Sequence, residues 1–281
     1  MKPAEIAAAA QLACLLEVSA PKPGNVSPGR DFHDTRYEDF LASAIAIGPP
    51  FAAVGERPLG TTIRAAVEET GRWTRCNTNL GIVLLLAPLA KAACSAAGTL
   101  RERLSRVLAS TTVGDAEEAY TAIRRTRPGG LGRSASEDVA EAPTVTLQEA
   151  MRLAAERDSV AREYVTDFAA TFEVGAPAIR AARQSGLTWR EATVDGYLTL
   201  LAALPDTHVA RKLGAAEAKR ISARAAEVVA AGGVRTGPGQ AGIAALDTEL
   251  RDAKNSRNPG TTADLTCAAL FVVILEDGWT A

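Results

Sequence analysis

The sequence has few of the residues that mark metal, redox and disulfide-rich proteins. Its 281 residues include two histidines and four cysteines, and aromatic residues make up 5%. The cysteines lie far apart and form no C-x-x-C pair, which excludes a zinc ribbon and a dense disulfide framework. Reduced thiols in a cytoplasmic protein are therefore expected. The cysteines are Cys14, Cys76, Cys94 and Cys267.

Long hydrophobic runs and a surplus of one charge are also absent. The longest apolar stretches, residues 82–90 and 268–275, are far shorter than the roughly 20 residues of a membrane-spanning helix. Residues 1–14 lack a cleavage pattern and are interpreted as a helix rather than a signal peptide. The 31 basic and 33 acidic residues are mixed along the chain. We expect neither membrane nor nucleic-acid binding.

What the sequence does have is a strong helical pattern. Alanine, the best intrinsic helix former, makes up about a fifth of the chain. Apolar residues recur at spacings of three and four, and no alternation of period two is bounded by turn signals. We predict an all-α fold, a single compact domain over residues 1–281 with ten or more helices. Helices are predicted at 3–19, 36–47, 60–74, 79–97, 99–110, 114–126, 146–158, 159–173, 175–185, 188–203, 206–231, 239–256 and 260–277.

Three of these segments are apolar around most of their circumference. They are residues 79–97, 188–203 and 260–277. A helix without a polar face is buried on all sides, so these three are predicted to be central.

Polar residues gather where the predicted helices begin or end. In the first cluster, prolines stiffen the loop that carries Lys22 and Asn25. Asp31, His33 and Asp34 follow within a few residues. They could form a magnesium or general-base site, although Asp and His are also ordinary turn and cap residues.

Two further clusters have features that suit phosphate. Asn77, Thr78 and Asn79 precede the most apolar helix, and a helix N-terminus attracts anions. One helix cap needs fewer polar side chains than these three. The segment PGGLGR offers Gly129, Gly130 and Arg133 for close approach to a phosphate, but it matches neither the P-loop nor the dinucleotide-binding motif.

A fourth cluster opens a predicted helix at Asp206. His208 lies on the same helix face as Arg211 and Lys212, which could be a solvated basic face or a phosphate site.

The fifth cluster contains Thr261, Thr262 and Asp264. Asp264 lies one turn inside an apolar helix, where an unpaired carboxylate is costly, so a buried partner, cation or ligand is implied. A lesser candidate over residues 157–162 contains two arginines and an aspartate that could equally form a surface ion pair.

In chain order, the segments EVSAPKPGNV, NTNLG, PGGLGR, DTHVARKLG and NPGTTADL resemble the triphosphoribosyl-dephospho-CoA synthase family. The likeness covers the whole chain. It implies an all-helical enzyme that transfers a triphosphoribosyl group from ATP to 3′-dephospho-CoA. The products would be 2′-(5″-triphosphoribosyl)-3′-dephospho-CoA and adenine.

The resemblance has specific departures. The residues from Glu17 to Gly24 look like the family's E-V-x-x-x-P-K-P-G, and NPGTTADL resembles its P-G-G-S-A-D-L. Asn79 and Leu80 stand where synthases typically carry His-Lys, and G-G-L-G-R-S replaces G-G-A-R-G-E. Because these positions suit nucleotide contact, two alternatives stay open. One is phosphoribosyl or nucleotidyl transfer in the biosynthesis of a pterin-type one-carbon cofactor; the other is a non-catalytic nucleotide-binding helical protein.

If the family activity holds, the resemblance implies ATP as substrate and Mg²⁺ to neutralise its triphosphate. Small-molecule nucleotides are then the expected partners, and a homodimer is left open. We assign catalysis to His33, Asp34, Asp206 and Asp264, with His33 or Asp206 as the base. Asp34, Asp206 and Asp264 are the proposed metal ligands. The residues assigned to nucleotide and phosphate binding are Lys22, Asn25, Asn77, Thr78, Asn79, Gly129, Gly130, Arg133, His208, Arg211, Lys212, Thr261 and Thr262.

Overall fold

A computed structural model describes residues 1–126 and 137–279. In these ranges every regular element is a helix, which confirms the all-α prediction. A π-helix spans Ala170–Gly175 and a 3₁₀ turn spans Gly233–Arg235. The α-helices are α1 Pro3–Ser19, α2 Tyr37–Ala46, α3 Gly48–Ala52, α4 Leu59–Trp73, α5 Leu80–Ala93, α6 Leu100–Ala109, α7 Val113–Thr126, α8 Leu147–Ala154, α9 Ser159–Glu163, α10 Ala176–Gln184, α11 Trp189–Ala203, α12 Thr207–Leu213, α13 Ala215–Ala230, α14 Gly237–Leu250 and α15 Gly260–Asp277.

The three predicted central helices are α5, α11 and α15. From Leu265 to Ile274, α15 is buried on every face, and it packs against α1, α5, α10 and α11. The side chains of α5 are buried over nearly its whole length. The central position of these apolar helices is therefore confirmed. In the described part of the chain, no helix combines the length and hydropathy of a membrane span.

Two predicted helices are interrupted in the structure. The segment 159–173 contains Asp167 and Phe168 at φ of 50° and 58°, so α9 ends before them and the π-helix follows. The segment 206–231 is divided at Gly214, whose φ is 92°. Positive φ angles end a right-handed helix, and glycine adopts them without steric cost. Helix periodicity continues across both breaks, which is why the sequence pattern did not show them.

The loop after α1 is joined by hydrogen bonds to α14 and to the residue that follows it. Asp247 on α14 accepts a hydrogen bond from the Gly24 backbone N–H at 2.9 Å. Gly24 has φ of 74°, and a Cβ there would lie 2.8 Å from the Leu250 Cβ, so a larger residue does not fit. Arg251 donates to the backbone oxygen of Asn25 at 2.7 Å. This loop is thereby held against the N-terminal end of α15.

A proline inside α5 removes one backbone donor from the core of the protein. Pro88 has no N–H, so the carbonyl of Leu84, four residues earlier, loses its helical partner. The hydroxyl of Tyr164 donates to this carbonyl at 2.6 Å. Tyr164 is fully buried, and burial raises its pKa. The tyrosine thus satisfies a buried acceptor that the proline leaves without a partner.

This arrangement predicts that the stability cost of replacing Tyr164 depends on whether residue 88 is a proline. In Tyr164→Phe the Leu84 carbonyl is buried without a donor, so we expect the free energy of unfolding to fall by about 1 to 3 kcal/mol. In a Pro88→Ala background the new backbone N–H reaches the same carbonyl, and the cost of Tyr164→Phe should be clearly smaller. Urea denaturation of the four proteins measures this difference. An equal cost in both backgrounds would show that Tyr164 acts through packing alone.

Candidate active site

Two adjoining cavities open where α5 and α15 begin. The smaller, about 110 Å³, is called the polar chamber because asparagine, threonine and carboxylate side chains line much of it. The larger, about 240 Å³, is called the apolar chamber and lies against α7, α8 and α9. Five residues line both chambers: Asn77, Leu80, Gly81, His208 and Asp264. These five residues form the shared wall of the two chambers. Two of the sequence clusters, NTNLG and NPGTTADL, meet there, together with His208 from a third.

The polar chamber is built around the N-terminus of α5. Asn79 is the N-cap residue of this helix and donates to the Thr70 hydroxyl at 3.0 Å. Asn77 accepts from the backbone N–H of Leu80 at 3.2 Å. Thr78 is buried against Ser43. Four backbone N–H groups at a helix start have no helical partner, so this surface suits an anion or an oxygen acceptor.

Asp264 occupies the shared wall with no hydrogen bond or ion pair to another described residue. Its carboxylate lies directly over Gly81, where a Cβ would come within 2.1 Å of Oδ2. Burial raises the pKa of Asp264 well above its usual range, and the nearby carboxylates of Glu17, Asp206 and Asp158 act in the same direction. An unpaired carboxylate in such surroundings is costly unless it serves a ligand.

His208 lines the same wall as Asp264. Its Nε2 atom is buried and has no hydrogen-bond partner in residues 1–126 and 137–279. Burial lowers the pKa of the ring to about 3, and the positive charges of Lys212 and Arg211 contribute. The ring is therefore neutral at physiological pH. It can exchange hydrogen bonds with a ligand but cannot attract phosphate as a cation.

Lys22 lies beside the polar chamber without lining it. Its ammonium group contacts Glu17 Oε1 at 2.9 Å and donates to the backbone carbonyls of Glu17 and Ala20. The side chain is fully buried. Lys22 thus neutralises Glu17, a lining residue, and its donors are occupied by the protein. Asn25 does line the chamber, and its amide donates to the Tyr197 hydroxyl at 3.0 Å.

Charged residues line the apolar chamber just before α9, on α12, at Glu137 and at Asp264 in the shared wall. Asp158 caps α9, accepting from the backbone N–H groups of Val160 and Ala161, and forms an ion pair with Arg211. Arg157 and Thr261 also line the chamber. Arg157 and Asp158 come from the lesser candidate segment 157–162.

Asp206, expected as a base or metal ligand, has a different environment. It is buried at the N-cap of α12, where Oδ1 accepts from the Val209 N–H at 2.9 Å. Its Oδ2 accepts from the N–H and hydroxyl of Thr262 at 2.7 and 2.8 Å. Burial raises the pKa of Asp206, and these hydrogen bonds counteract that shift. Asp206 and Thr262 line neither chamber; they join the starts of α12 and α15.

Three other expected site residues lie on the surface. His33 and Asp34 are exposed, with 3.7 Å between His33 Nε2 and Asp34 Oδ2. His33 Nδ1 contacts the amide of Asn255 at 2.9 Å, and Lys212 lies near the backbone oxygen of the same residue. None of the three lines a chamber. Within residues 1–126 and 137–279, no three His, Cys, Asp or Glu side chains gather as a metal-binding group. Asp34, Asp206 and Asp264 therefore do not form a common ligand set.

Gly129, Gly130 and Arg133 lie outside the described residues. The structure also adds lining residues that the sequence did not single out as site residues. Phe32 and Phe40 contribute aromatic rings to the polar chamber. Asn258 contributes a buried Oδ1 that has no hydrogen-bond partner in the part of the chain that the structure describes. Asn258 stands in the NPGTTADL segment, so its polar side chain was the one available signal. No pattern distinguishes the two phenylalanines from core residues.

Comparison with known proteins identifies the family to which the chain is related. A family model described as ATP:dephospho-CoA triphosphoribosyl transferase matches residues 3–281. The 2-(5″-triphosphoribosyl)-3′-dephosphocoenzyme-A synthase of Klebsiella pneumoniae is 27% identical over 277 residues, which cover 92% of this chain and 91% of that protein.

A solved structure gives the same result. The crystal structure of a protein from Archaeoglobus fulgidus, described as a candidate triphosphoribosyl-dephospho-CoA synthase, superposes with a TM-score of 0.66 at 31% identity. The match covers 85% of this chain and all of that one. Since the family model spans nearly the entire sequence, the chain belongs to the ATP:dephospho-CoA triphosphoribosyl transferase family.

Proposed function

We propose that this protein transfers the triphosphoribosyl group of ATP to a ribose hydroxyl of 3′-dephospho-CoA and releases adenine. The observation that carries this proposal is the shared wall, which borders two chambers. Within the described residues, neither the Asp264 carboxylate nor His208 Nε2 makes a hydrogen bond. A reaction between two nucleotides requires two binding spaces that meet at the reacting atoms. Family membership favours this activity over transfer to a pterin-type acceptor and over a non-catalytic role.

The chemistry requires stabilisation of positive charge on the transferred sugar. The C1′–N9 bond of ATP breaks with its electron pair on adenine, and a bond forms between C1′ and the acceptor oxygen. The acceptor hydroxyl loses its proton and the departing adenine gains one, so the overall reaction balances. Transfer at an anomeric carbon passes through an oxocarbenium-like transition state. We assign the electrostatic stabilisation of this cation to the carboxylate of Asp264.

His208 is proposed to orient the acceptor. A neutral ring can accept a hydrogen bond from the ribose hydroxyl, which turns an oxygen lone pair toward C1′. The amides of Asn25, Asn77 and Asn79 are proposed to contact the base and sugar of ATP in the polar chamber. Arg157 and Arg211 are the lining cations suited to phosphate oxygens.

Magnesium fits this site through a single carboxylate. Mg²⁺ in nucleotide enzymes is commonly held by one or two carboxylates together with substrate phosphates. Asp264 supplies an open carboxylate oxygen, and we propose it as the protein ligand of a Mg²⁺ ion. When bound, such an ion would neutralise part of the negative charge of the triphosphate. Action in the cytoplasm, the absence of nucleic-acid binding and a homodimer remain predictions.

The first test is adenine release. Purified protein mixed with ATP, Mg²⁺ and 3′-dephospho-CoA should release adenine in step with acceptor consumption. Asp264→Asn should lower the rate by about a hundredfold, the size of effect seen when one aligned electrostatic group is lost. Asp277→Asn is the matched control, because Asp277 lies at the exposed end of the same helix and pairs with Arg180.

Two results would contradict the proposal. One is the absence of adenine release by the wild-type protein with this acceptor. The other is full activity in an Asp264→Asn protein whose circular dichroism and unfolding midpoint are unchanged, which would remove Asp264 from the site.

The Gly81 position tests the placement of that carboxylate. In Gly81→Ala the new methyl group would lie on Asp264 Oδ2, so the carboxylate must rotate away. We expect activity to fall by at least about tenfold while stability changes little, because only the end of a side chain moves. Gly71→Ala on α4 is the control, since no atom lies within 4 Å of the position that a Cβ would take there. Equal activity in both variants would contradict the proposed role.

The third test concerns the charge of His208. Its lowered pKa of about 3 keeps the ring neutral throughout an assay from about pH 5 to about pH 8. We expect His208→Asn to lower kcat/KM by about tenfold or more, with the same pH dependence as the wild type. An acidic limb near the ordinary histidine pKa in the wild type, absent from the variant, would show that the ring titrates and would refute the neutral role.

A further inference from the structure

The apolar chamber is larger than the polar one and has a different chemistry. Leu84, Ile123, Leu147, Met151 and Val160 contribute apolar side chains from four different helices. The hydroxyl of Tyr120 on the same wall is already donated to the Glu137 carbonyl at 2.8 Å. A triphosphate placed against this surface would lose its hydration without gaining donors. This apolar part of the chamber therefore favours an uncharged, partly aliphatic group.

The two substrates of the proposed function differ in such a group. Both contain an adenosine joined to phosphates. Only dephospho-CoA continues beyond its diphosphate into a long arm of methylene, methyl and amide groups that ends in a thiol. This arm is the one aliphatic part of either substrate, and burial of its methylene groups is favourable.

The kinds of group that line the chamber match the parts of that acceptor. Apolar side chains line most of the chamber, Arg157 and Arg211 are the arginines among its described lining residues, and His208 with Asp264 forms the wall toward the polar chamber. In the acceptor, the arm is followed by a diphosphate and then by the ribose whose hydroxyl reacts. Arginines suit the diphosphate, and the shared wall then receives the ribose.

We propose that the apolar chamber is the subsite for the aliphatic amide arm of the acceptor, and that ATP occupies the polar chamber. This inference rests on the proposed function. It makes the arm, which takes no part in bond formation, the group by which the enzyme distinguishes its acceptor from other adenine nucleotides. Contacts remote from the reacting atoms contribute to such discrimination through kcat/KM.

The test compares dephospho-CoA with ADP as acceptor in the presence of ATP and Mg²⁺. ADP contains the same adenosine and diphosphate but lacks the arm. Ala154→Phe fills the chamber from α8, and Leu153→Asp places a charge on its half-exposed wall. Ala223→Phe, at an exposed position of α13, is the control. Adenine release gives KM for each substrate, and thermal unfolding verifies the fold.

In the wild type we expect dephospho-CoA to be preferred over ADP by at least about tenfold in kcat/KM. Ala154→Phe and Leu153→Asp should raise the KM for dephospho-CoA by about tenfold and leave the KM for ATP and the rate with ADP unchanged. The control should behave as the wild type. This pattern would support the arm subsite.

Other patterns would overturn it. A rise in the KM for ATP instead would place ATP in the apolar chamber, and unchanged constants in both variants would show that no substrate uses it. Equal use of ADP and dephospho-CoA by the wild type would also refute the inference while leaving triphosphoribosyl transfer intact. Absence of adenine release with every acceptor is a failure of the proposed function itself and would remove the basis of the inference.

Discussion

The site depends on the close approach of two helix N-termini, which brings the Asp264 carboxylate over Gly81. Any side chain at position 81 would occupy the place of the carboxylate. The approach is possible because α5 and α15 are apolar beyond their first turns and pack directly together in the core. The same packing makes Asp264 costly, since a buried carboxylate without a partner opposes folding. A bound nucleotide and cation would relieve that cost.

Around this carboxylate, several other charged residues of the motifs are paired. Lys22 neutralises Glu17, and Asp206 uses both oxygens on the starts of α12 and α15. These contacts fix the loop and helix ends that border the chambers. Buried charges that are satisfied in this way support the site by holding its walls in place. Among the residues that the structure describes, the Asp264 carboxylate and His208 Nε2 differ from them in having no hydrogen-bond partner, and not in residue type.

The sequence predicted much of the fold because helix periodicity and the three apolar segments are local signals. It also singled out NTNLG, His208 and NPGTTADL, which meet at the wall shared by the two chambers. It could not separate Asp264 from Asp206, since both are acidic residues near a helix start and only the three-dimensional partners differ. Nor could it show that His33 and Asp34 lie on the surface, or that Leu84 and Met151 line a chamber, because burial against a cavity and burial in a core produce the same apolar pattern.

The central claim is that the two chambers, which meet at Asp264 and His208, hold the two reacting nucleotides. A crystal structure with ATP, Mg²⁺ and dephospho-CoA tests it most directly. We expect the base and ribose of ATP in the polar chamber, C1′ beside Asp264, and the acceptor's ribose hydroxyl within hydrogen-bonding distance of His208. Nucleotides bound elsewhere, with both chambers empty, would contradict the account.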